Sequence, residues 1–283
     1  MRTLVVSGAD EAYYPLLDDL VSSLRRWPQL DFADIGCLDV GLAANSRASL
    51  ARRVSRIVEP GWDLPVDASL RETRPGLRAL TARPFVPQYF PGYDIYIWID
   101  ADAWVQYPFA IGRLVGAARE GLLAAVPHEH PAYRTSEENL RWRSDRMLAY
   151  FGQTHADKLR GDVYLNCGVL AARADAPHWA AWARSFRRGL EATEGKVCSD
   201  QTALNHAVWQ ERLPVRRLPA ICNWLTHLAL PGFDPAGKGF CEPTLPARYI
   251  GIMHLTSKSA RANERFPLLR QGPPSTMSLR FPG

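Results

Sequence analysis

The segment Tyr96-Ile97-Trp98-Ile99-Asp100-Ala101-Asp102 is an apolar strand that stops at two carboxylates one residue apart. A strand with no polar alternation is buried on both faces, which is the condition of a strand in a parallel sheet covered by helices. Its end must therefore lie at the sheet's open edge, where polar groups regain water or a ligand. Residues i and i+2 share one face of an extended chain, about 6.6 Å apart along it. Two carboxylates so placed can converge on one hard divalent cation. Ligands of open α/β sheets sit outside the carboxyl ends of the strands, so a cation there would bridge the protein to a diphosphate. Alone, an Asp-x-Asp also caps helices and lines turns.

The rest of the chain alternates strands and helices. Thr3–Ser7 reads as a buried strand ended by Gly8. A helix follows, with Pro15 near its first turn and Leu16, Leu17, Leu20, Val21 and Leu24 on one face. Ile35–Val40 is a second strand, Ala48–Ile57 a short amphipathic helix, and Leu77–Tyr89 a helix interrupted near Pro84 and Pro87. The strand Tyr93–Ile99 leads into the Asp pair. Beyond it, Leu122–Val126 and Val163–Ala172 read as strands, Ser136–Phe151 as a helix with Leu140, Met147, Leu148 and Phe151 apolar, and Trp179, Trp182 and Phe186 as core at helical spacing. Asp200–Trp209 begins a helix after Ser199, and Tyr249–His254 is a last strand. This alternation is the signature of an open, mainly parallel sheet. With no repeat and no linker in 283 residues, one domain with two lobes is expected, ending near residue 270, and the Pro- and Gly-rich stretch 271–283 is expected to be a flexible tail.

Composition removes several function classes. The net charge of +5 is mild, and the Arg-rich stretch Arg47–Arg83 also holds Glu59, Asp63, Asp67 and Glu72, which argues against a nucleic-acid surface. Cys37, Cys167, Cys198, Cys222 and Cys241 are odd in number and lack Cys-x-x-Cys spacing, so neither a zinc ribbon nor a disulfide framework is expected. No apolar run approaches the ~20 residues of a membrane span, and the N-terminus runs straight into a strand. The expected compartment is a reducing bacterial cytoplasm, with no more than peripheral contact at the inner membrane.

Four segments carry chemistry together. Ser7-Gly8-Ala9-Asp10 lacks both the dinucleotide and the P-loop glycine patterns. Asp10 therefore suits a base or ribose, or is a plain acid at a helix start. Arg83 lies upstream of the Asp pair. Tyr164-Leu165-Asn166-Cys167-Gly168-Val169-Leu170 puts an amide and a glycine inside a buried strand: either a ligand approaches the backbone there, or the strand has a bulge with a satisfied amide. Asp200-Gln201 opens a helix, and Ile252-Met253-His254 ends a strand, His254 being a third ligand for Mn²⁺ or a satisfied core histidine.

In this order and spacing the set resembles the retaining, metal-dependent nucleotide-sugar glycosyltransferases of the GT-A fold, specifically glycosyltransferase family 8, from Leu4 to about Lys258. The resemblance implies a Rossmann-like GT-A α/β domain, with residues 1–102 as the nucleotide-binding lobe and 103–270 as the donor-sugar and acceptor lobe. It implies Asp100, Asp102 and His254 as ligands of Mn²⁺ or Mg²⁺. It places Ser7, Ala9, Asp10, Tyr14, Arg83, Asp100, Ala101, Asp102, Asn166, Gly168 and Lys258 around a UDP-sugar, with Asp10 at the base and Asn166 and Gly168 at the donor-sugar or acceptor pocket. Asp200 would hold donor hydroxyls and Gln201 would lie near the anomeric carbon, as the catalytic pair. After His254 the chain departs from the family's pattern, so the phosphate-binding cation is Lys258 or Arg261. The implied partners are a nucleotide sugar and a carbohydrate, glycolipid or other hydroxyl acceptor. The rival expectations are an inverting transferase with Glu129, Asp145 or Asp200 as base, and a nucleotide- or carbohydrate-binding protein that has lost turnover.

Overall fold

The computed structural model describes residues 1–159, 162–237, 239–256, 265–267 and 276–282. Its elements run β1 (Thr3–Ala9), α1 (Tyr14–Arg25), β2 (Ala33–Asp39), α2 (Ala44–Ala51), β3 (Arg56–Val58), α3 (Ala68–Thr73), α4 (Leu77–Ala82), α5 (Val86–Tyr89), β4 (Ile95–Ile99), β5 (Ala103–Val105), α6 (Phe109–Arg119) and β6 (Leu123–Pro127). They continue through α7 (Glu137–Phe151), α8 (Gln153–Leu159), β7 (Leu165–Arg173), α9 (Pro177–Ala192), α10 (Asp200–Gln210), β8 (Val215–Arg217), β9 (Trp224–Leu225), β10 (Gly232–Asp234), β11 (Gly239–Cys241), β12 (Ile252–His254), β13 (Arg265–Pro267) and β14 (Thr276–Ser278).

Seven strands form the main sheet in the order β3-β2-β1-β4-β7-β6-β8. All neighbours are parallel except β7, which runs against both β4 and β6. The double burial read from the sequence is what β4 shows: Ile95, Ile97 and Ile99 join a cluster with α1 and α6, while Tyr96 and Trp98 face the other way, into a cluster with α9 and α10. The predicted core aromatics Trp179, Trp182 and Phe186 lie in that second cluster. A small sheet, β5-β12-β9, holds a third cluster around Trp104, Trp224 and Met253. Among the described residues no helix is long and apolar enough to cross a membrane.

Three local expectations are corrected. The helix expected over 48–57 ends at Ala51, and Arg56–Val58 is instead an edge strand paired to Gly36–Leu38. The β-branched Ile57 and Val58 favour that pairing, which a helical reading overlooked. On α7 only Met147 and Phe151 of the four expected apolar positions are buried, and Leu140 and Leu148 face solvent. The expected flexible tail does not describe residues 279–281. Leu279 is buried, its carbonyl accepts from Trp104 Nε1 at 2.8 Å, and Arg280 pairs with Asp19 on α1.

Candidate active site at the carboxyl edge of the sheet

Strands β1, β4 and β6 all end at one edge of the sheet, and β7, running the other way, starts there. That topology gathers Asp10, Asp100, His128 and Asn166 without any of them being close in sequence. The Asp pair does not sit on an extended strand, as its spacing suggested. β4 stops at Ile99, Asp100–Ala103 is a turn closed by Ala103 N–H to the Asp100 carbonyl at 3.0 Å, and the carboxylates converge because the chain reverses. β12 then pairs antiparallel with β5, His254 opposite Ala103, which sets the imidazole beside Asp102.

His254 Nε2 lies 3.2 Å from Asp102 Oδ1 and 3.7 Å from Asp100 Oδ2. One ligand atom from each of the three residues lies within 4.8 Å of the others. His254 Nδ1 contacts Asn223 Oδ1 at 2.9 Å. An amide oxygen only accepts, so Nδ1 carries the proton in the neutral ring and the Nε2 lone pair faces the carboxylates. Burial opposes charge on His254, yet Asp102 and then Asp100 outweigh it and raise its pKa. Burial likewise opposes ionisation of Asp102, and His254 reverses it, so the Asp102 pKa is lowered. Two hard oxygens from half-buried carboxylates and one buried imidazole nitrogen, all converging, fit Mn²⁺ or Mg²⁺ better than a soft metal.

Arg83 ties the carboxylates together. It is buried, its Nη2 donates to Asp100 Oδ1 at 2.6 Å, and its Nη1 forms an ion pair with Asp200 Oδ2 at 2.7 Å. Its guanidinium lies 4.5 Å over the Trp98 ring, and Trp98 Nε1 also donates to Asp100 Oδ1. Burial disfavours the Arg83 charge, but Asp100 and Asp200 raise its pKa further, so it stays a cation. Asp200 Oδ1 takes the Gln201 amide N–H at 2.8 Å. Both oxygens of this carboxylate are thus already engaged.

The Asn-x-Gly strand turns out to be a bulge with a satisfied amide. Pairing of β6 jumps from Ala125–Leu170 to Val126–Asn166, so residues 167–169 of β7 leave the β6 ladder, while Val169 stays paired with Ile99 of β4. Asn166 Oδ1 accepts from Gly168 N–H and Asn223 Nδ2, both at 2.8 Å, and Asn166 Nδ2 donates to Gln201 Oε1 at 3.1 Å. A Cβ on Gly168 would lie 2.3 Å from His254 Cε1 and 2.5 Å from Asp100 Oδ2. What approaches this backbone is the Asp100–His254 pair itself. Asn166 and Gly168 therefore brace the cluster from beneath, and do not form an open pocket wall as expected.

A cleft of about 270 Å³ opens beside the cluster, lined among others by Asp10, Tyr13, Gly76, Arg83, Asp100, Ala101 and Asp102. Ala9 and Asp10 line it, whereas Ser7 and Tyr14 do not. β1 continues through Ala9, which keeps Ser7 inside the sheet, and Tyr13 takes the position expected of Tyr14. Asp10 Oδ1 also accepts from Tyr13 N–H at 3.0 Å, so it holds the helix entry as well. Lys258 and Arg261 lie outside the described residues.

Sequence reasoning missed Asn223, Trp98 and His128. Asn223 stands alone in the apolar run Ile221-Cys222-Asn223-Trp224-Leu225, and a lone amide there needs buried partners. Trp98 was read only as strand core. His128 follows β6 at the same edge as the Asp pair, and its Nε2 lies 3.3 Å from Asn166 Nδ2.

No protein-family model matches the sequence, and no curated protein matches it. Solved structures do. The galactosyltransferase LgtC in complex with donor and acceptor sugar analogues superposes with a TM-score of 0.58 at 15% identity, over 90% of this chain and 88% of that one. An active-site variant of LgtC gives 0.55 at 16%, over 90% and 87%. The bifunctional glycosyltransferase WbbM, in its apo form, gives 0.55 at 18%, over 90% of this chain and 46% of WbbM. At these identities the likeness is one of fold: the chain has the mixed, mainly parallel architecture of the GT-A glycosyltransferases, as its motifs led one to expect.

Proposed function

We propose that this protein is a metal-dependent glycosyltransferase that moves a hexose from a UDP-sugar to an acceptor hydroxyl with retained anomeric configuration. The observation that carries the reading is the convergence of Asp100, Asp102 and His254 at the carboxyl edge of the sheet, beside the cleft that holds Asp10. The likeness to sugar-transferring folds supports it. Residues 1–102 would form the nucleotide-binding lobe and 103–270 the donor-sugar and acceptor lobe.

A divalent cation held by Asp100, Asp102 and His254 would supply Lewis-acid neutralisation of charge developing on the departing diphosphate. The chain's own groups do the rest. Asp10 and Tyr13 would take the base and ribose in the cleft. Arg83 fixes Asp100 and Asp200 in one orientation, so neither carboxylate reorganises as the glycosidic bond breaks. Gln201, held at Oε1 by Asn166 and the Cys167 N–H, would line the face of the anomeric carbon. Lys258 or Arg261 would meet the diphosphate.

Retention without a covalent intermediate is the reading the geometry supports. A nucleophile needs a free, weakly held carboxylate, and Asp200 is buried against Arg83. Glu129 and Asp145, the other acids considered as bases for inversion, are exposed. Attack would come from the acceptor on the leaving-group face through an oxocarbenium-like state, its proton passing to the departing phosphate oxygen.

Thermal unfolding with UDP, GDP, CDP, ADP and NAD, each with Mn²⁺ and with EDTA, tests the reading. A ligand at 100 times its Kd stabilises by about 2.7 kcal/mol. A midpoint rise with UDP and Mn²⁺ that EDTA removes is expected. No response to any nucleotide would overturn the proposal.

A further inference from the structure

We propose that Leu279, Arg280 and Phe281 form a strap whose role is to position the cation cluster, holding Asp102 and His254 at ligand spacing from beneath. The inference rests on the reading of Asp100, Asp102 and His254 as cation ligands. It extends that reading to residues that touch neither cation nor nucleotide.

Asp102 and His254 stand on a small sheet with few bonds of its own. β5 and β12 have three residues each and β9 has two. β12 pairs with β5 as Ile252–Val105, Met253–Trp104 and His254–Ala103, and the Leu255 N–H donates to the Asp102 carbonyl at 2.8 Å. Strands this short are held by the apolar face they bury more than by their ladder. The spacing of the two ligands therefore depends on what packs under Trp104, Met253 and Leu255.

Leu279 belongs to that packing. It is buried in one cluster with Trp104, Met253, Leu255 and Leu16 of α1. Trp104 lies two residues after Asp102 and opposite Met253, the neighbour of His254. Its indole N–H donates to the Leu279 carbonyl at 2.8 Å, and its ring meets Phe281 with centroids 5.7 Å apart. A buried indole needs such an acceptor. The strap thus fixes the side chain that links the two ligand-bearing strands.

The strap is also tied to the helix that follows Asp10. Arg280 Nε donates to Asp19 Oδ2 at 2.8 Å, and Nη2 lies 2.6 Å from the same oxygen and donates to the Pro15 carbonyl at 3.0 Å. Both side chains of this ion pair are only 21% exposed. The Arg26 guanidinium, just past the other end of α1, lies 6.0 Å over the Phe281 ring. Tyr13, which lines the cleft beside the cluster, packs against the same apolar residues. Three consecutive residues therefore join the entry of α1 to the strands that carry Asp102 and His254.

Titration of the full chain with Mn²⁺, followed by the loss of the free-ion electron paramagnetic resonance signal, tests this. The temperature is kept well below the melting midpoint of every variant. Leu279→Ala should raise the Mn²⁺ dissociation constant at least about tenfold, the low end of what loss of an orienting partner does. Arg280→Gln, a milder lesion on the surface of α1, should raise it less and keeps the test readable if Leu279→Ala unfolds. Leu279→Met, which refills the volume, should restore the wild-type affinity. Leu190→Ala makes a comparable cavity in the separate cluster beneath α9. It should lower the melting midpoint yet leave Mn²⁺ affinity unchanged, which a strap acting only through general stability would not allow. Unchanged affinity in both strap variants, or an equal loss in Leu190→Ala, would overturn the inference and leave the cation cluster standing. No uptake of Mn²⁺ by the wild type would overturn the cluster assignment, and the strap's role with it.

Discussion

The carboxyl edge of the sheet and the α7–α8 cleft are joined through one histidine, yet they are built on opposite principles. At the edge every charged group has a partner: Arg83 serves Asp100 and Asp200, and the chain His254–Asn223–Asn166–Gln201 hands each amide or imidazole to the next. In the cleft, which Glu137, Leu140, Arg143, Met147, Asp162 and Tyr164 line, Arg143 meets the His128 imidazole and the Tyr164 ring, and among the described residues neither Glu137 nor Asp162 pairs with it. A saturated network fixes geometry before any ligand arrives, whereas a cation without a paired carboxylate is free to change partners.

The largest break in the comparison is Arg83→Met. It strands two carboxylates beside a buried thiol, and breaking a buried pair costs about 3–5 kcal/mol. Urea unfolding should show that loss, while Arg143→Gln should change stability by less than about 1 kcal/mol. Similar losses for both would mean that the cleft arginine is as structural as the edge one. Next in size, Asp102→Asn should leave the fold intact and erase the roughly 2.7 kcal/mol of stabilisation expected from saturating UDP and Mn²⁺. If Asp102→Asn keeps the full response, the cation cluster is misassigned.

Asn223→Ala sharpens the same point one shell further out. It frees the His254 ring, and loss of such an orienting partner typically raises the metal requirement about 10–100-fold. A titration of Mn²⁺ against UDP binding reads this directly, and an unchanged midpoint would demote the Asn223–His254 bond to packing.

The C-terminal end of α7 gives a subtler effect. His206 stacks on Phe151, ring centroids 3.6 Å apart, and burial, with His155 and Arg188 adding, pushes its pKa down to about 4. The unfolded chain binds that proton first, near pH 6.5, so this contribution to stability is complete above 6.5 and fades as pH falls toward 4. His206→Phe should flatten that part of the acid limb, as followed by melting midpoint against pH. At the bottom of the scale, Leu148→Gln on exposed α7 should shift stability by no more than about 0.5 kcal/mol.

The sheet was legible because β4 and its neighbours are apolar on both faces and the helices between them follow a 3.6-residue period. The convergence of Asp100, Asp102 and His254 was legible because carboxylates and a histidine at strand ends are conspicuous in an apolar sheet. What stayed hidden is mostly partner choice. Nothing local says that the Asn166 amide is consumed by Gly168, Asn223 and Gln201, because those bonds join positions far apart in the chain. Tyr13 and Tyr14 are adjacent and alike, and only the two extra residues of β1 decide which one reaches the cleft. The charge state of the α7 arginines was equally out of reach, since Glu137, Glu138 and Asp145 on the same helix suggest neutralising pairs that do not form.

The reversed strand β7 also sets an order of events. β3, β2, β1 and β4 pair parallel within the first hundred residues, but β4 keeps one edge open until Leu165–Arg173 has been made, and β6 waits for the same segment. Such long-range insertion is slow, and an unfilled strand edge is exposed to wrong partners meanwhile. His254 joins later still, on β12. A nascent chain therefore makes Asp100 and Asp102 early and His254 about 150 residues later, so the candidate cation cluster is complete only once β12 has joined β5.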